Sequence, residues 1–244
     1  MKILYILLFM LIIFMGCNQE QAKPVLKIEK NEEHNTVNYT AYLENHFDSV
    51  VIGQLPIGWS QATTGNGETT EWKVIDDNGN RVFAQLSSNN PNYHFNIAIY
   101  DDFEIKDIGL KVKLKAVAGK MDQGGGLVWR YKDSNNYYVV RANPLENNVV
   151  LYKVIDGKRT DLPVLGKGKT YGVDVPKLGN DWIVLSINIE GDLFTVSLNY
   201  EELFQVKDQS IRGAGKFGLW TKADAVTYFD DLRLRDDFRN LNAN

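Results

Sequence analysis

The sequence predicts an all-β fold, two antiparallel sheets packed as a sandwich, and three observations predict it. Apolar and polar residues alternate with period two over most of the chain, turn residues recur about every eight to twelve positions, and helical patterning is scarce. The clearest strand carries Leu110, Val112, Leu114, Ala116 and Ala118 on one face and Lys111, Lys113 and Lys115 on the other, a half-buried strand with a lysine-rich outer side. Before it, Val82–Leu86 and Phe95–Tyr100 are strands separated by the polar turn Ser87–Asn92. After it come Gly125–Tyr131 and Tyr137–Ala142 around a polar turn, then Val149–Ile155 and Lys158–Leu162 joined by Asp156-Gly157, a hairpin signal. Ile183, Leu185, Ile187 and Ile189 mark another strand, Glu190-Gly191-Asp192 turns the chain, and Phe194, Val196 and Leu198 mark the next. Lys216–Trp220 and Val226–Leu234 close the series, and Glu201–Phe204 reads as a single helical turn. No Pro/Gly/Ser-rich linker and no internal repeat divides the body, so residues 41–240 are expected to form one domain.

Ahead of that domain lies an address. Met1-Lys2 is a short positive start, Ile3–Met15 is almost unbroken apolar sequence, and Gly16-Cys17 ends it. The run is shorter than the roughly 20 apolar residues a spanning helix needs. It resembles a bacterial lipoprotein signal, which implies removal of residues 1–16, lipidation of Cys17 and attachment to a membrane of the cell envelope. A cleaved secretory signal, or a short anchor with an incidental cysteine, is the alternative. Residues 17–40 are polar and of mixed charge, a tether whose later part near Tyr39 is a candidate first strand. Cys17 is the only cysteine, so the domain is expected to be held by its core and not by disulfides. The whole chain carries a net charge of -4 and has no basic tail or Arg/Lys block, which argues against nucleic acid as a partner.

Three stretches carry a family likeness. Asp181–Ile187, Gly191 and Phe194–Asn199 resemble the paired-strand signature of laminin-G-like and concanavalin-A-like jelly rolls. Gly213–Trp220 with Val226–Leu232 resembles the terminal strands of the same group, and Gly125–Tyr131 through Asn136–Arg141 is similar to its bacterial 3-keto-disaccharide hydrolase branch. The resemblance spans about residues 43–237 and implies a concanavalin-A-like jelly-roll sandwich of two antiparallel sheets. It implies sugar-related functions without choosing among lectins, binding modules, hydrolases and adhesion modules. The closely alternating catalytic carboxylates of laminarinase-like members are missing: Glu104–Asp107 lacks the spacing and Glu190-Gly191-Asp192 lies in a turn. Catalytic residues are therefore unknown, and glycoside hydrolysis stands as the alternative to carbohydrate binding. In that alternative Glu146 or Asp133 would supply acid–base chemistry and Arg130 or Arg141 would stabilise oxyanion charge. A scaffold or adhesion module that recognises another envelope protein is the third reading.

The candidate sugar surface lies at residues 125–159. A pyranose offers apolar C–H patches and a rim of hydroxyls, so an aromatic platform beside guanidinium and amide groups suits it. Trp129, Arg130, Tyr138, Arg141, Glu146, Asn148, Tyr152 and Arg159 are the candidates, with Arg130 placed opposite Tyr138 across the 132–136 turn. The competing reading makes Trp129 a core residue and pairs the arginines with Asp133 or Glu146. Trp59 and Trp72 flank the polar stretch Ser60–Glu71 and either rim a groove or plug the end of the sandwich, whereas Trp182 and Trp220 read as packing residues. No cofactor is required. Asp48, Asp230 and Asp231 fall near the two ends of the jelly-roll sequence and are candidate ligands for a structural calcium ion. His34, His46 and His94 match no zinc spacing.

Overall fold

The computed structural model describes residues 23–24, 26–33, 36–168 and 171–235. The lipoprotein signal, Cys17 and His34 lie outside the described residues. Among the described residues no helix is long and apolar enough to cross a membrane.

The chain opens with the hairpin β1 (Lys27–Glu33) and β2 (Thr36–Asn45). Next come β3 (Trp59–Gly65), the hairpin β4 (Trp72–Asp77) and β5 (Asn80–Gln85), and the long strands β6 (His94–Ile105) and β7 (Ile108–Ala118). A meander follows: β8 (Gly125–Asp133), β9 (Asn136–Asn143), β10 (Asn148–Ile155) and β11 (Lys158–Asp161), then the two-residue β12 (Val173–Asp174). A second meander, β13 (Ile183–Glu190), β14 (Leu193–Leu198) and β15 (Glu201–Lys207), leads to β16 (Gly215–Lys222) and β17 (Val226–Arg235). The first sheet runs β1-β2-β17-β7-β13-β14-β15, with β5 pairing β17 and β4 outside it; the second runs β11-β10-β9-β8-β16-β6-β3, with β12 on β10. All pairings are antiparallel, and the architecture is an all-β two-sheet jelly-roll sandwich.

The period-two pattern of the first sheet has a direct cause. Leu110, Val112 and Leu114 on β7, Leu185 and Ile187 on β13 and Phe229, Leu232 and Leu234 on β17 point into one core between the sheets, while the lysines of β7 point away. The second sheet buries both faces. Leu127, Trp129, Tyr138, Val140 and Leu151 join the inter-sheet core; Val128, Tyr137, Val139, Val150, Tyr152, Phe95, Ile97 and Trp220 form a second cluster on the other side. That cluster is enclosed because the sheet rolls up. Laid flat, β11 and β6 would stand about 24 Å apart at roughly 4.8 Å per strand. Instead the Arg159 guanidinium of β11 sits 5.0 Å from the Phe95 ring of β6 and 5.9 Å from the Trp220 ring of β16. The Tyr93 hydroxyl donates to the Gly157 carbonyl at 3.0 Å and accepts from the Arg159 amide at 2.8 Å. Thr64, at the end of β3, bonds the Ser134 carbonyl and the Tyr137 hydroxyl.

Several expectations need correction. Trp129, not Arg130, faces Tyr138, because Arg130 stands in a bulge with φ 46° that shifts the register before Asp133. Glu201–Phe204 is not a helical turn but the start of β15, which extends β14. Trp59 and Trp72 rim no groove. Both are buried against Phe83, at 5.2 and 5.3 Å between ring centroids. Strand β1 occupies part of the expected tether and pairs β2. Asp156-Gly157 forms the expected turn, both residues at positive φ, 50° and 74°.

Trp129 lies stacked on Tyr138 at 5.5 Å and edge-on to Phe194 at 5.4 Å. Trp129→Ala therefore removes core volume, and denaturant unfolding should record a loss of about 3–5 kcal/mol. An unchanged midpoint would mean that the ring is not holding the sheets together.

Candidate functional site

Where the rolled sheet ends, its outer face turns polar. Arg141 on β9 lies between Val150 of β10 and Gly126 of β8. The run Gly124-Gly125-Gly126 makes room for it: a Cβ at Gly126 would fall 1.9 Å from the Val140 carbonyl, and one at Gly124 would fall 3.3 Å from the Arg141 side chain. Arg141 is only 2 % exposed, which makes its set of partners decisive, since an unpaired buried charge would be prohibitive. Its guanidinium donates to Glu146 Oε2 at 2.7 Å, to the Tyr152 hydroxyl at 3.1 Å, to the Tyr171 hydroxyl at 3.3 Å and to the Asn148 side-chain oxygen. Tyr152 donates to the Tyr171 hydroxyl at 2.6 Å, and Asn148 donates to Glu146 at 3.1 Å.

Beside this cluster Asp122 accepts from Lys222 Nζ at 2.8 Å, from Asn143 at 3.2 Å and from the Gly124 amide at 2.7 Å. Asp224 pins the loop before it, accepting from the amides of Lys120, Met121 and Asp122. Met121, Leu145 and Tyr171 stand half exposed around the polar centre. Burial works against the Arg141 charge, yet Tyr152, Glu146, Tyr171 and Asp122 raise its pKa above the ordinary value. Burial likewise works against the Glu146 carboxylate, but Arg141 and Asn148 outweigh it and hold the pKa below the usual value. The Tyr152 phenol is pushed up, chiefly by burial.

The structure thus brings Arg141, Glu146, Asn148 and Tyr152 together, with Arg159 stacked 4.4 Å over the Tyr152 ring. It separates Trp129, Tyr138 and Arg130 from them. Trp129 and Tyr138 face inward, and the Tyr138 hydroxyl donates to Asp208 at 2.5 Å and accepts the Ile211 amide at 3.0 Å. Arg130 ties the 106–107 and 191 turns to the 211 loop through Lys106, Asp107, Gly191 and Ile211. Asp133 caps its own turn, accepting the Asn135 amide at 2.7 Å, at the end of the sheet remote from Glu146. Sequence reading missed Asp122, Asn143, Tyr171 and Lys222. The glycine run was a usable signal for Asp122, its immediate neighbour but one; Tyr171 sits in a loop that no periodicity marks.

On the first sheet, His46, Asp230 and Asp231 offer ligand atoms within 4.8 Å of one another, a cluster able to chelate a metal ion. Asp48 is outside it, and His46, dismissed from spacing, is inside. One imidazole and two carboxylates suit a zinc-class ion better than calcium, which takes six to eight oxygens. Asp231 is already paired with Lys113 and His46, and Asn80 donates to Asp230 at 2.9 Å. Burial, with the charges of Asp231 and Asp48, raises the Asp230 pKa. Burial opposes the Asp231 charge too, but Lys113 and His46 overcome it and lower that pKa.

No protein-family model matches the chain, and no curated protein does. Solved structures do. The carbohydrate-binding module CBM66 from Bacillus subtilis is 21% identical with TM-score 0.52, over 72% of this chain and 94% of that one. A protein of unknown function with a galectin-like fold, also from Bacillus subtilis, is 10% identical with TM-score 0.49, over 73% and 89%. Domain 4 of AbnA, an extracellular GH43 arabinanase from Geobacillus stearothermophilus, is 14% identical with TM-score 0.46, over 88% and 93%. At these identities the likeness to the first establishes the class, a jelly-roll β-sandwich, and nothing narrower.

The Glu146 shift has a definite sign in acid. Its folded pKa lies below the ordinary glutamate value of 4.5, so its contribution to stability is fully present above that pH and is lost as pH falls through the folded pKa. Urea midpoints measured from pH 6 downward should therefore converge for wild type and Glu146→Gln at low pH and separate above about pH 4.5. Parallel curves would remove the Glu146–Arg141 pair from the account.

Proposed function

We propose that this chain is a lipid-anchored envelope protein whose jelly-roll domain binds carbohydrate at the Arg141 end of its second sheet. The observation that carries the reading is a buried guanidinium fixed by Glu146, Asn148 and two tyrosine hydroxyls inside a half-exposed rim of Tyr171, Leu145 and Met121. Apolar rim atoms suit the C–H faces of a sugar ring, and the rigid polar centre offers donors and acceptors to its hydroxyls. The likeness in fold to a carbohydrate-binding module supports the same reading.

Orientation supports it as well. Lys23 pairs with Asp102 at 2.8 Å, and the Tyr100 hydroxyl donates to the Pro24 carbonyl at 3.2 Å. Arg141 shares its register row with Ile97, through Gly126 and Trp220. Asp102 lies five residues further along β6, roughly 16 Å toward the opposite end at about 3.3 Å per residue. A chain lipidated at Cys17 and docked at Lys23 would then present the Arg141 end away from the membrane. Cys17→Ala should abolish metabolic labelling with a fatty acid and release the protein from the membrane fraction; retained labelling would remove the anchor from this reading.

A glycan array probed with the full chain in mild detergent, with calcium and with a chelator, tests the binding function. A saturable hit should weaken at least about tenfold in Arg141→Gln and in Tyr171→Ala, the loss of one charge-assisted contact set. Calcium dependence would bring Asp48, Asp230 and Asp231 into the site's support. An empty array in both conditions would overturn carbohydrate binding in favour of an envelope protein partner.

One observation favours hydrolysis as a second reading: the Asp122 and Glu146 carboxylates both act on Arg141 from the same end of the sheet. Glu146, held ionised, has the charge of a base or nucleophile. Product analysis on any glycan hit decides between them, since a hydrolase loses product formation and keeps binding in Glu146→Gln. The 3-keto-glycosides belong among the substrates tried.

A further inference from the structure

Arg159 carries a charge that the closure of the roll does not explain. Its guanidinium lies 4.4 Å from the Tyr152 ring centroid, 5.0 Å from that of Phe95 and 5.9 Å from that of Trp220. An aliphatic side chain would cover those rings without the cost of bringing a cation to an apolar surface. Ring contact offsets part of that cost, yet it supplies no oxygen to the five N–H donors. Arg81, Arg130, Arg141, Arg212 and Arg233 each meet an oxygen, at 2.7 to 3.4 Å. Around Arg159 the described residues place none: no carboxylate stands within ion-pair distance of its guanidinium and no acceptor within hydrogen-bond distance. Its backbone amide, not its side chain, bonds the Tyr93 hydroxyl. The residue is partly exposed, so a ligand can reach it.

Its surroundings continue the Arg141 centre. The Tyr152 hydroxyl accepts from Arg141 at 3.1 Å while the ring of the same residue carries Arg159. The Arg141 guanidinium is 5.8 Å from that ring centroid, which puts the two guanidiniums no more than about 10 Å apart. That is within the span of two linked pyranose rings. Tyr93 adds an open aromatic face beside Arg159: it is 49 % exposed, its ring centroid stands 4.9 Å from that of Phe95, and its hydroxyl is held by the Gly157 carbonyl and the Arg159 amide.

We propose that Arg159 is the anion subsite of this surface, and that the ligand is an acidic glycan whose carboxylate or sulfate sits on the Arg159 fork while a neighbouring unit sits at Arg141. The proposal rests on the carbohydrate reading of Arg141 and adds the class of sugar. A guanidinium gives two parallel bonds to either oxyanion, a geometry that an ammonium lacks. Contact with three rings holds the fork in place before the ligand arrives, so little ordering is lost on binding. Arg141 does not serve as that fork, because Glu146, Asn148 and two tyrosine hydroxyls already occupy its donors.

A glycan array tests it, probed with the full chain in mild detergent and chelator, with each uronate or sulfated glycan placed beside its methyl-esterified or desulfated form. The strongest hits should be acidic, whether uronate or sulfate. In solution the neutral form of each hit should bind at least about tenfold more weakly, a ratio that shrinks as salt is raised. Arg159→Leu keeps apolar cover on the rings and should bring the ratio close to unity. Arg159→Lys keeps a cation without a fork and should fall between. Lys207→Gln, on the first sheet, removes the same charge and should keep the wild-type ratio. The ratio is read within each variant, so a general loss of folded protein does not move it. Hits confined to neutral glycans would overturn the proposal and leave the Arg141 reading standing, whereas an empty array would overturn both. Survival of the ratio in both Arg159 variants, an equal fall in Lys207→Gln, or acetate and inorganic sulfate binding as tightly as the acidic hit would each overturn it too.

Discussion

Arg159 over Phe95, Tyr152 and Trp220 marks the closure on which the rest of this molecule depends. A sandwich sheet ordinarily buries one face and leaves the other to solvent or ligand. Here the second sheet buries both, one against its partner and one against itself, because its twist carries the β10–β11 hairpin back over β6 and β16. The aromatic residues that would make an open platform are thereby spent on packing. Polar chemistry is displaced to where the roll opens, and that is where Arg141, Glu146 and Asn148 stand.

The two sheets accordingly offer different surfaces. At the end of the second sheet, charge is buried and fully partnered, so Arg141 is rigid and any ligand meets a preformed arrangement. On the outer face of the first sheet, Lys111 and Arg233 stand opposite each other on adjacent strands, and Glu44 pairs with Arg233 at 3.4 Å. The bulge at Asp230–Asp231, with Asp231 at φ 50°, re-aims β17 where Asp230 and Asp231 meet His46. One strand thus shapes both features of that face.

Much of the fold was legible because burial of one face writes a period of two into sequence. Strand β7 is the clearest instance, and the Asp156-Gly157 turn was equally plain because positive φ at both positions demands such residues. The second sheet was less legible. Tyr137–Ala142 and Val149–Ile155 are nearly continuous apolar runs, which announce burial on both sides without saying what lies on either. The register error at Arg130 arose from a bulge, which costs no characteristic residue when Arg is held by four carbonyl and carboxylate partners. Once the register moved by one residue, Trp129 joined Tyr138 in the core, and Arg141 kept the other face with Tyr137 and Val139.

By itself the sequence determined an all-β jelly-roll sandwich, its strand spacing, the polar character of residues 141–148 and the lysine face of β7. These follow from hydrophobic periodicity and turn stereochemistry, which act between residues close along the chain. Tertiary structure alone decided that Tyr171 meets Arg141, that Asp122 meets Asn143 and Lys222, that His46 joins Asp230 and Asp231, and that Arg233 stands opposite Lys111. Those encounters join residues up to 185 positions apart, and they depend on sheet order, roll and bulge, quantities that no local pattern encodes.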